Sequence, residues 1–257
     1  MENHDDNIIS QQITEAITRY LRRTGFARFS PKAALIDMDG TLYDSMKYHT
    51  LAWHRMMTET GIECSRDEFY LYEGMTGAET IDLLMRRARG RHATEEEKSE
   101  LYKVKTGYFN KMPKVEKIAG AADMLRILSD NGITRVLVTG SGQASLLTRL
   151  GNDFPGAFSQ GLQITSHDVV HGKPHPEPYL RGMALAKTDP WQTIVVENAP
   201  LGVKSGHDAG AFTVAVTTGP IPPVEMVRAG ADLVCPSMEE FACILPALLG
   251  NNQSHNQ

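Results

Sequence analysis

Beyond Pro113 the chain alternates short apolar runs with amphipathic stretches, and this alternation constrains the fold more than any other feature of the sequence. Apolar runs at 134–138, 192–196, 212–216 and 232–234 are too short for helices, and helical segments separate them. Strands joined in this way run parallel, because each crossover carries the chain back over one face of the sheet and does so right-handedly. A parallel sheet covered on both faces needs strands that are apolar on both sides, which is how "TIVV" reads at 193–196. A further run of this type opens "AALIDMDGT" at 33–41, where it gives way to acids and an Asp-Gly turn. The expected fold class is therefore α/β, with a Rossmann-like parallel sheet as its core.

Between the first strand and Pro113 the pattern changes. The spacing predicts helices at 48–59, 78–89 and 94–112 with no strand among them, so a helical domain at 46–116 is expected to interrupt a core made of 31–45 and 117–250. Ile9, Ile13, Ile17 and Leu21 recur every four residues and predict one amphipathic helix within an N-terminal extension, 1–30, packed on the core. A length of 257 residues accommodates a core domain with one smaller companion.

Composition excludes several classes of function. A formal net charge of -5 argues against general affinity for nucleic acid, and acidic residues directly follow the one basic run at 86–92. Three cysteines, Cys64, Cys235 and Cys243, form no CxxC pair and suggest neither a disulfide framework nor a zinc site. The acidic start, the lack of an apolar signal region and the lack of a long apolar run lead us to expect no membrane association and a cytoplasmic location; a sequon at 252–254 carries no weight in that setting.

Open parallel sheets bind ligands at the carboxyl ends of their strands, so the polar residues there belong together. After the first strand come Asp37 and Asp39, two acids that different surroundings could tune as nucleophile and general acid/base; a calcium-binding or turn-forming pair is the plainer alternative. Thr139, Gly140 and Ser141 follow "RVLV", where a strand-to-helix passage offers backbone N–H groups to an anion. Lys173 lies in a segment stiffened by Pro174, Pro176 and Pro178 and can present its ammonium group to a phosphate. Glu197 and Asn198 end "TIVVEN", and an amide beside an acid could be no more than a turn. His167, His171 and His175 have helical metal-site spacing, but the interleaved Gly172, Pro174 and Pro176 argue against a helix and hence against zinc.

In this order, "DMDGT", "VTGSG", "GKPHPEPY" and "VVENAPLGV" resemble the four motifs of the haloacid dehalogenase superfamily, and the helical insert is similar in position and length to the cap of its β-phosphoglucomutase-like subgroup. The resemblance implies Mg²⁺-dependent phosphoryl transfer on a small phosphorylated molecule. Asp37 would attack phosphorus to form an aspartyl-phosphate, and Asp39 would protonate the leaving group and then activate water. Thr139, Gly140, Ser141 and Lys173 would hold phosphoryl oxygens. Asp37, the Asp39 carbonyl and Asn198 would ligate Mg²⁺, with Glu197 in support.

The insert should choose the substrate. His49 and Lys105 match insert positions that approach the active site in the subgroup. In "YEGMTGAET" Gly77 falls where the mutases carry an Arg for a second phosphate, and Glu73 replaces a basic residue. Glu73, brought to the metal, would restore the charge that Asn198 lacks, and the pair resembles pyrophosphate-hydrolysing members of the subgroup. Inorganic pyrophosphate is therefore the leading substrate, with β-phosphoglucomutase and a sugar-phosphate phosphatase as alternatives.

Overall fold

The computed structural model describes residues 2–142 and 144–250; Gln143 and the tail with its 252–254 sequon lie outside them. The strands are β1 (Ala33–Ile36), β2 (Thr134–Val138), β3 (Gln163–Ile164), β4 (Thr193–Glu197), β5 (Phe212–Val216) and β6 (Leu233–Cys235). All pair in parallel, in the order β3-β2-β1-β4-β5-β6. The chain moves outward from β1 to β2 and β3, then returns to β4 on the other side, which places a topological switch point between β1 and β4. Register aligns Ile36 with both Leu137 and Val196, so the residues leaving these three strands emerge side by side.

The strands are apolar throughout because both faces are covered. Ala34, Ile36, Leu137, Ile194, Val196, Phe212 and Val214 join one buried cluster, while Ala33, Leu35, Val136, Val138 and Val195 join another on the opposite face. The helices in chain order are α1 (Glu2–Thr24), α2 (Met46–Glu59), α3 (Glu68–Leu71), α4 (Gly77–Arg89), α5 (Glu95–Phe109), α6 (Ala121–Asp130), α7 (Ala144–Asp153), α8 (Glu177–Ala186), α9 (Pro200–Asp208), α10 (Pro223–Arg228) and α11 (Met238–Gly250). Among the described residues no helix is long and apolar enough to cross a membrane.

Helices α2 to α5 all fall between β1 and β2 and bury an apolar cluster of their own, centred on Trp53, Met56, Phe69, Ile81 and Leu84. Local sequence sets their ends. Thr76 with Glu79 and Thr94 with Glu97 form capping boxes that start α4 and α5, and Gly90 ends α4 in the left-handed region at φ 67°. Helix α5 stops at Phe109, short of the expected 112, because Lys111 and Met112 donate to Tyr108 and Phe109 in a closing turn.

Helix α1 lies on the core with Ile13, Ala16 and Tyr20 buried and Ile9, Ile17 and Leu21 packed beside them. The four-residue spacing thus marks one edge of the contact, and Tyr20 lies at its centre. One further difference is local: β3, with only two residues, is not among the expected strands. β1 ends at Ile36, and Asp37 and Asp39 lie in the loop that follows it.

Candidate active site

The loop after β1 folds back tightly, with the Leu42 and Tyr43 amides both donating to Met38 O and Gly40 N donating to Tyr43 O. Gly40 has φ +77°, and a Cβ there would stand 1.9 Å from Asn198 Nδ2 and 2.8 Å from Glu73 Oε1. Only glycine therefore admits both the backbone turn and the approach of these two side chains. The loop leaves Asp37, Asp39 and Thr41 all buried.

Asp37 faces Lys173, which is 1% exposed. The ammonium donates to Asp37 Oδ1 at 2.6 Å and to Val138 O at 3.0 Å, and pairs with Glu197 Oε1 at 2.6 Å. Burial opposes the charge on Lys173, yet Asp37 and Glu197 outweigh it and hold its pKa above the ordinary lysine value. Burial pushes the Asp37 carboxyl well above the usual range, with Glu197 and Asp39 adding to the rise and Lys173 opposing it. Glu197 also accepts from Tyr179 OH at 2.5 Å and from Asn198 N at 3.1 Å. A Cβ on Gly202 would lie 2.0 Å from its carboxyl carbon, so the bare backbone of α9 makes room for it.

On the other side, Asp39 Oδ1 accepts from Ser45 Oγ at 2.5 Å and pairs with His49 Nε2 at 3.0 Å. His49 Nδ1 is 2.8 Å from Lys105 Nζ. Because the ammonium can only donate while charged, this pairing assigns the imidazole proton to Nε2. Burial lowers the His49 pKa, with Lys105 adding to the effect, and burial lowers Lys105 itself from 10.5 to about 7. Burial works against the Asp39 anion too, but the neighbouring His49 and the His49 and Ser45 hydrogen bonds keep its pKa below the usual value. Trp53, Tyr102 and Phe109 surround the Lys105 ammonium at 5.2 to 5.5 Å from their ring centroids.

The insert reaches the core through its 73–76 loop. Asn198 Nδ2 donates to Glu73 Oε1 at 2.7 Å, while Asn198 Oδ1 accepts from Thr41 at 3.2 Å. Burial pushes the Glu73 carboxyl well above the usual range; the Asn198 hydrogen bond opposes this, and Asp37, Glu197 and Asp39 add to it. After β2, Thr139 Oγ1 accepts from Ser141 N at 3.0 Å, and Gly142 N donates to Tyr102 OH at 3.2 Å. A Cβ on Gly140 would meet Gly74 O at 2.3 Å, so insert and core touch backbone to backbone.

Asp37, Asp39, His49, Glu73, Lys105, Thr139, Gly140 and Ser141 line one cavity of about 60 Å³, with Lys173, Glu197 and Asn198 buried beneath it. Sequence reasoning did not single out Ser45, Tyr102 or Tyr179. Of these Tyr179 stood inside "GKPHPEPY" and Tyr102 three residues ahead of Lys105 in "YKVKTGYF". His167, His171 and His175 lie in a non-helical segment ahead of α8, with the His171 and His175 rings 4.8 Å apart.

Four buried carboxylates, on Asp37, Asp39, Glu73 and Glu197, face Lys173 and a Lys105 whose charge burial weakens. That excess of buried negative charge suits a small hard cation held by mixed oxygen donors. Among the described residues no trio of His, Cys, Asp or Glu forms a metal site by itself, so backbone or amide oxygens have to share in such a set.

The model of a family described as haloacid dehalogenase-like hydrolase matches residues 34–216. The validoxylamine A 7'-phosphate phosphatase of Streptomyces hygroscopicus subsp. limoneus is 30% identical over 190 residues, 73% of this chain and 86% of that protein. The beta-phosphoglucomutase of Bacillus subtilis is 26% identical over 211 residues, 79% of this chain and 88% of that one. A solved structure from Bacteroides vulgatus, described as a candidate beta-phosphoglucomutase, has a TM-score of 0.91 and 44% identity, covering 95% of this chain and 99% of its own.

Proposed function

The chain belongs to the haloacid dehalogenase-like hydrolase family and is an enzyme of its phosphatase and phosphotransferase kind, and from that premise we propose that it is a Mg²⁺-dependent phosphohydrolase acting on inorganic pyrophosphate. The observation that carries the choice of substrate is the size of the cavity beneath the 73–76 loop, about 60 Å³. Pockets for larger ligands run to several hundred Å³, roughly 300 or more. A compact substrate matches this space more closely than a hexose phosphate does. The space near Gly77 is also filled: a Cβ there would lie 2.3 Å from the Tyr102 ring, so no side chain can reach toward a second sugar phosphate from this position.

In this reading residues 46–116 are a cap over a core of 31–45 and 117–250, and residues 1–30 are an extension. Asp37, the Asp39 carbonyl and Asn198 would hold Mg²⁺, Glu73 would add a carboxylate from the cap, and Glu197 would support them. The bound ion supplies positive charge against the phosphoryl oxygens.

Asp37 attacks the near phosphorus through a carboxylate oxygen, and the bridging P–O bond breaks as phosphate leaves. Lys173, Thr139 and the amides of Gly140 and Ser141 hold the three equatorial oxygens of the transferring group. His49 and Lys105 face the departing phosphate, which is stable as an anion and needs little protonation. Asp39, kept anionic by Ser45 and His49, is suited to taking a proton from water in the second step. That water attacks the phosphorus, releases the second phosphate and frees Asp37. An alkoxide leaving group needs a protonated acid beside it, and an Asp39 whose pKa is held below the usual value gives up its proton too readily to carry one, which again favours an anhydride.

The names of the relatives favour a sugar-phosphate phosphatase as the second reading. Phosphate release with Mg²⁺ separates the two: pyrophosphate should be cleaved faster than β-glucose 1-phosphate or hexose 6-phosphates. Conversion of β-glucose 1-phosphate to glucose 6-phosphate with a bisphosphate primer, without pyrophosphate turnover, would overturn the proposal.

A further inference from the structure

Glu79 is the third residue of α4, and its two carboxylate oxygens serve different parts of the molecule. Oε2 accepts from Thr76 N at 3.0 Å and Thr76 Oγ1 at 2.7 Å, while Glu79 N donates to Thr76 Oγ1 at 3.2 Å. This is the capping box, and it fixes the direction of the carboxylate from within its own helix. Oε1 points out of the insert and accepts from Gly172 N at 2.9 Å, 93 residues along the chain.

We propose that Glu79 is a positioning residue that clasps the insert to the Lys173 loop and thereby sets Lys173 and Glu73 in the closed site together. Gly172 immediately precedes Lys173. A Cβ on Gly172 would stand 2.3 Å from Glu79 Oε2 and 2.8 Å from Thr76 Cγ2, so glycine is what allows the contact. On the other side of Thr76, a Cβ on Gly74 would lie 3.0 Å from Lys173 Cδ, so the insert loop also rests on the lysine stem. Glu79 thus holds the backbone one residue ahead of Lys173 and Gly74 lies along the lysine stem, with the ammonium between Asp37 and Glu197. A carboxylate accepting from an amide is a charge-assisted bond, and one already oriented by a capping box loses little freedom on closing. The catalytic half of this inference rests on the phosphohydrolase reading.

The test uses the full chain, wild type and Glu79→Gln, with hydrogen exchange followed by segment and phosphate release with Mg²⁺ from pyrophosphate or, where wild type does not cleave it, from a sugar phosphate. Glutamine has one acceptor oxygen in place of two, so it can serve Thr76 or Gly172 but not both. The expected result is faster exchange at 170–173, a kcat lowered by about tenfold or more with KM changed less, and a Tm within a few degrees of wild type. An unchanged kcat overturns the proposal, whatever happens to exchange. Where Glu79→Gln loosens the whole chain, Glu79→Asp decides, since it keeps the charge but falls one methylene short of Gly172. Wild-type protection and kcat in that variant overturn the clasp, and losses confined to 170–173 and kcat support it. A wild type that cleaves no phosphate ester or anhydride sinks the phosphohydrolase reading instead and leaves exchange at 170–173 to decide the clasp.

Discussion

Asn198 and Lys105 each make a buried contact that ties the insert to the site, Asn198 to Glu73 and Lys105 to His49. Asn198 uses both ends of its amide, accepting from Thr41 and donating to Glu73 at 2.7 Å, and an aspartate there would set two carboxylates against each other. Lys105 is 2% exposed, and burial lowers its pKa from 10.5 to about 7. Between those values the unfolded chain binds a proton that the folded chain does not, so this lysine makes stability rise with pH across that window. Its cost is fully present below about pH 7 and is lost as pH rises past the unfolded value near 10.5. Lys105→Met should therefore raise the urea midpoint more at pH 6 than at pH 9, while lowering turnover. Equal shifts at both pH values would show that the lysine is not neutralised by burial.

At the scale of elements, the parts that touch across the cleft are loops, and glycines set their spacing. Gly140 leaves 2.3 Å between its would-be Cβ and Gly74 O, without a left-handed backbone to strain. Gly140→Ala should prop the 73–76 loop away from the core, cutting kcat/KM by roughly a hundredfold, as a displacement near 1 Å can, while the Tm stays within a few degrees. A steady-state assay beside a thermal melt checks this, and unchanged kcat/KM would mean that the loop yields. The sheet was legible because its central strands are buried on both faces and read as unbroken apolar runs. The two-residue β3 and four-residue α3 were not, since neither is long enough to show a period. The site divides in the same way. Asp37, Thr139, Lys173 and Glu197 stand at strand ends or in marked loops and could be gathered by topology. Glu79 and Tyr102 act through partners 93 and 40 residues away, and nothing local in the sequence names those partners.

Across the whole molecule, α1 is fastened to the end of the sheet opposite the site. Tyr20 OH donates to Pro190 O at 3.2 Å and Gly210 O at 3.0 Å, and Arg23 pairs with Asp232 at 3.0 Å. Pro190, Gly210 and Asp232 precede β4, β5 and β6 respectively, whereas the catalytic candidates of the core follow the carboxyl ends of β1, β2, β3 and β4. The Tyr20 ring also packs edge-on against Phe29 and Phe212 at 5.5 and 5.4 Å, closing the apolar layer on that face. Anchoring and chemistry are therefore separated along the strands. Tyr20→Phe keeps the ring and removes the donor; Pro190 O retains the Thr193 amide while Gly210 O loses the hydroxyl, at a cost of about 1–2 kcal/mol. For a chain of this size that lowers the Tm by roughly 2–8 °C. Turnover per folded molecule should match wild type when assayed below the transition. A fall in kcat/KM beyond the loss of folded protein would mean that α1 reaches the site through the sheet, contrary to its placement at the far end.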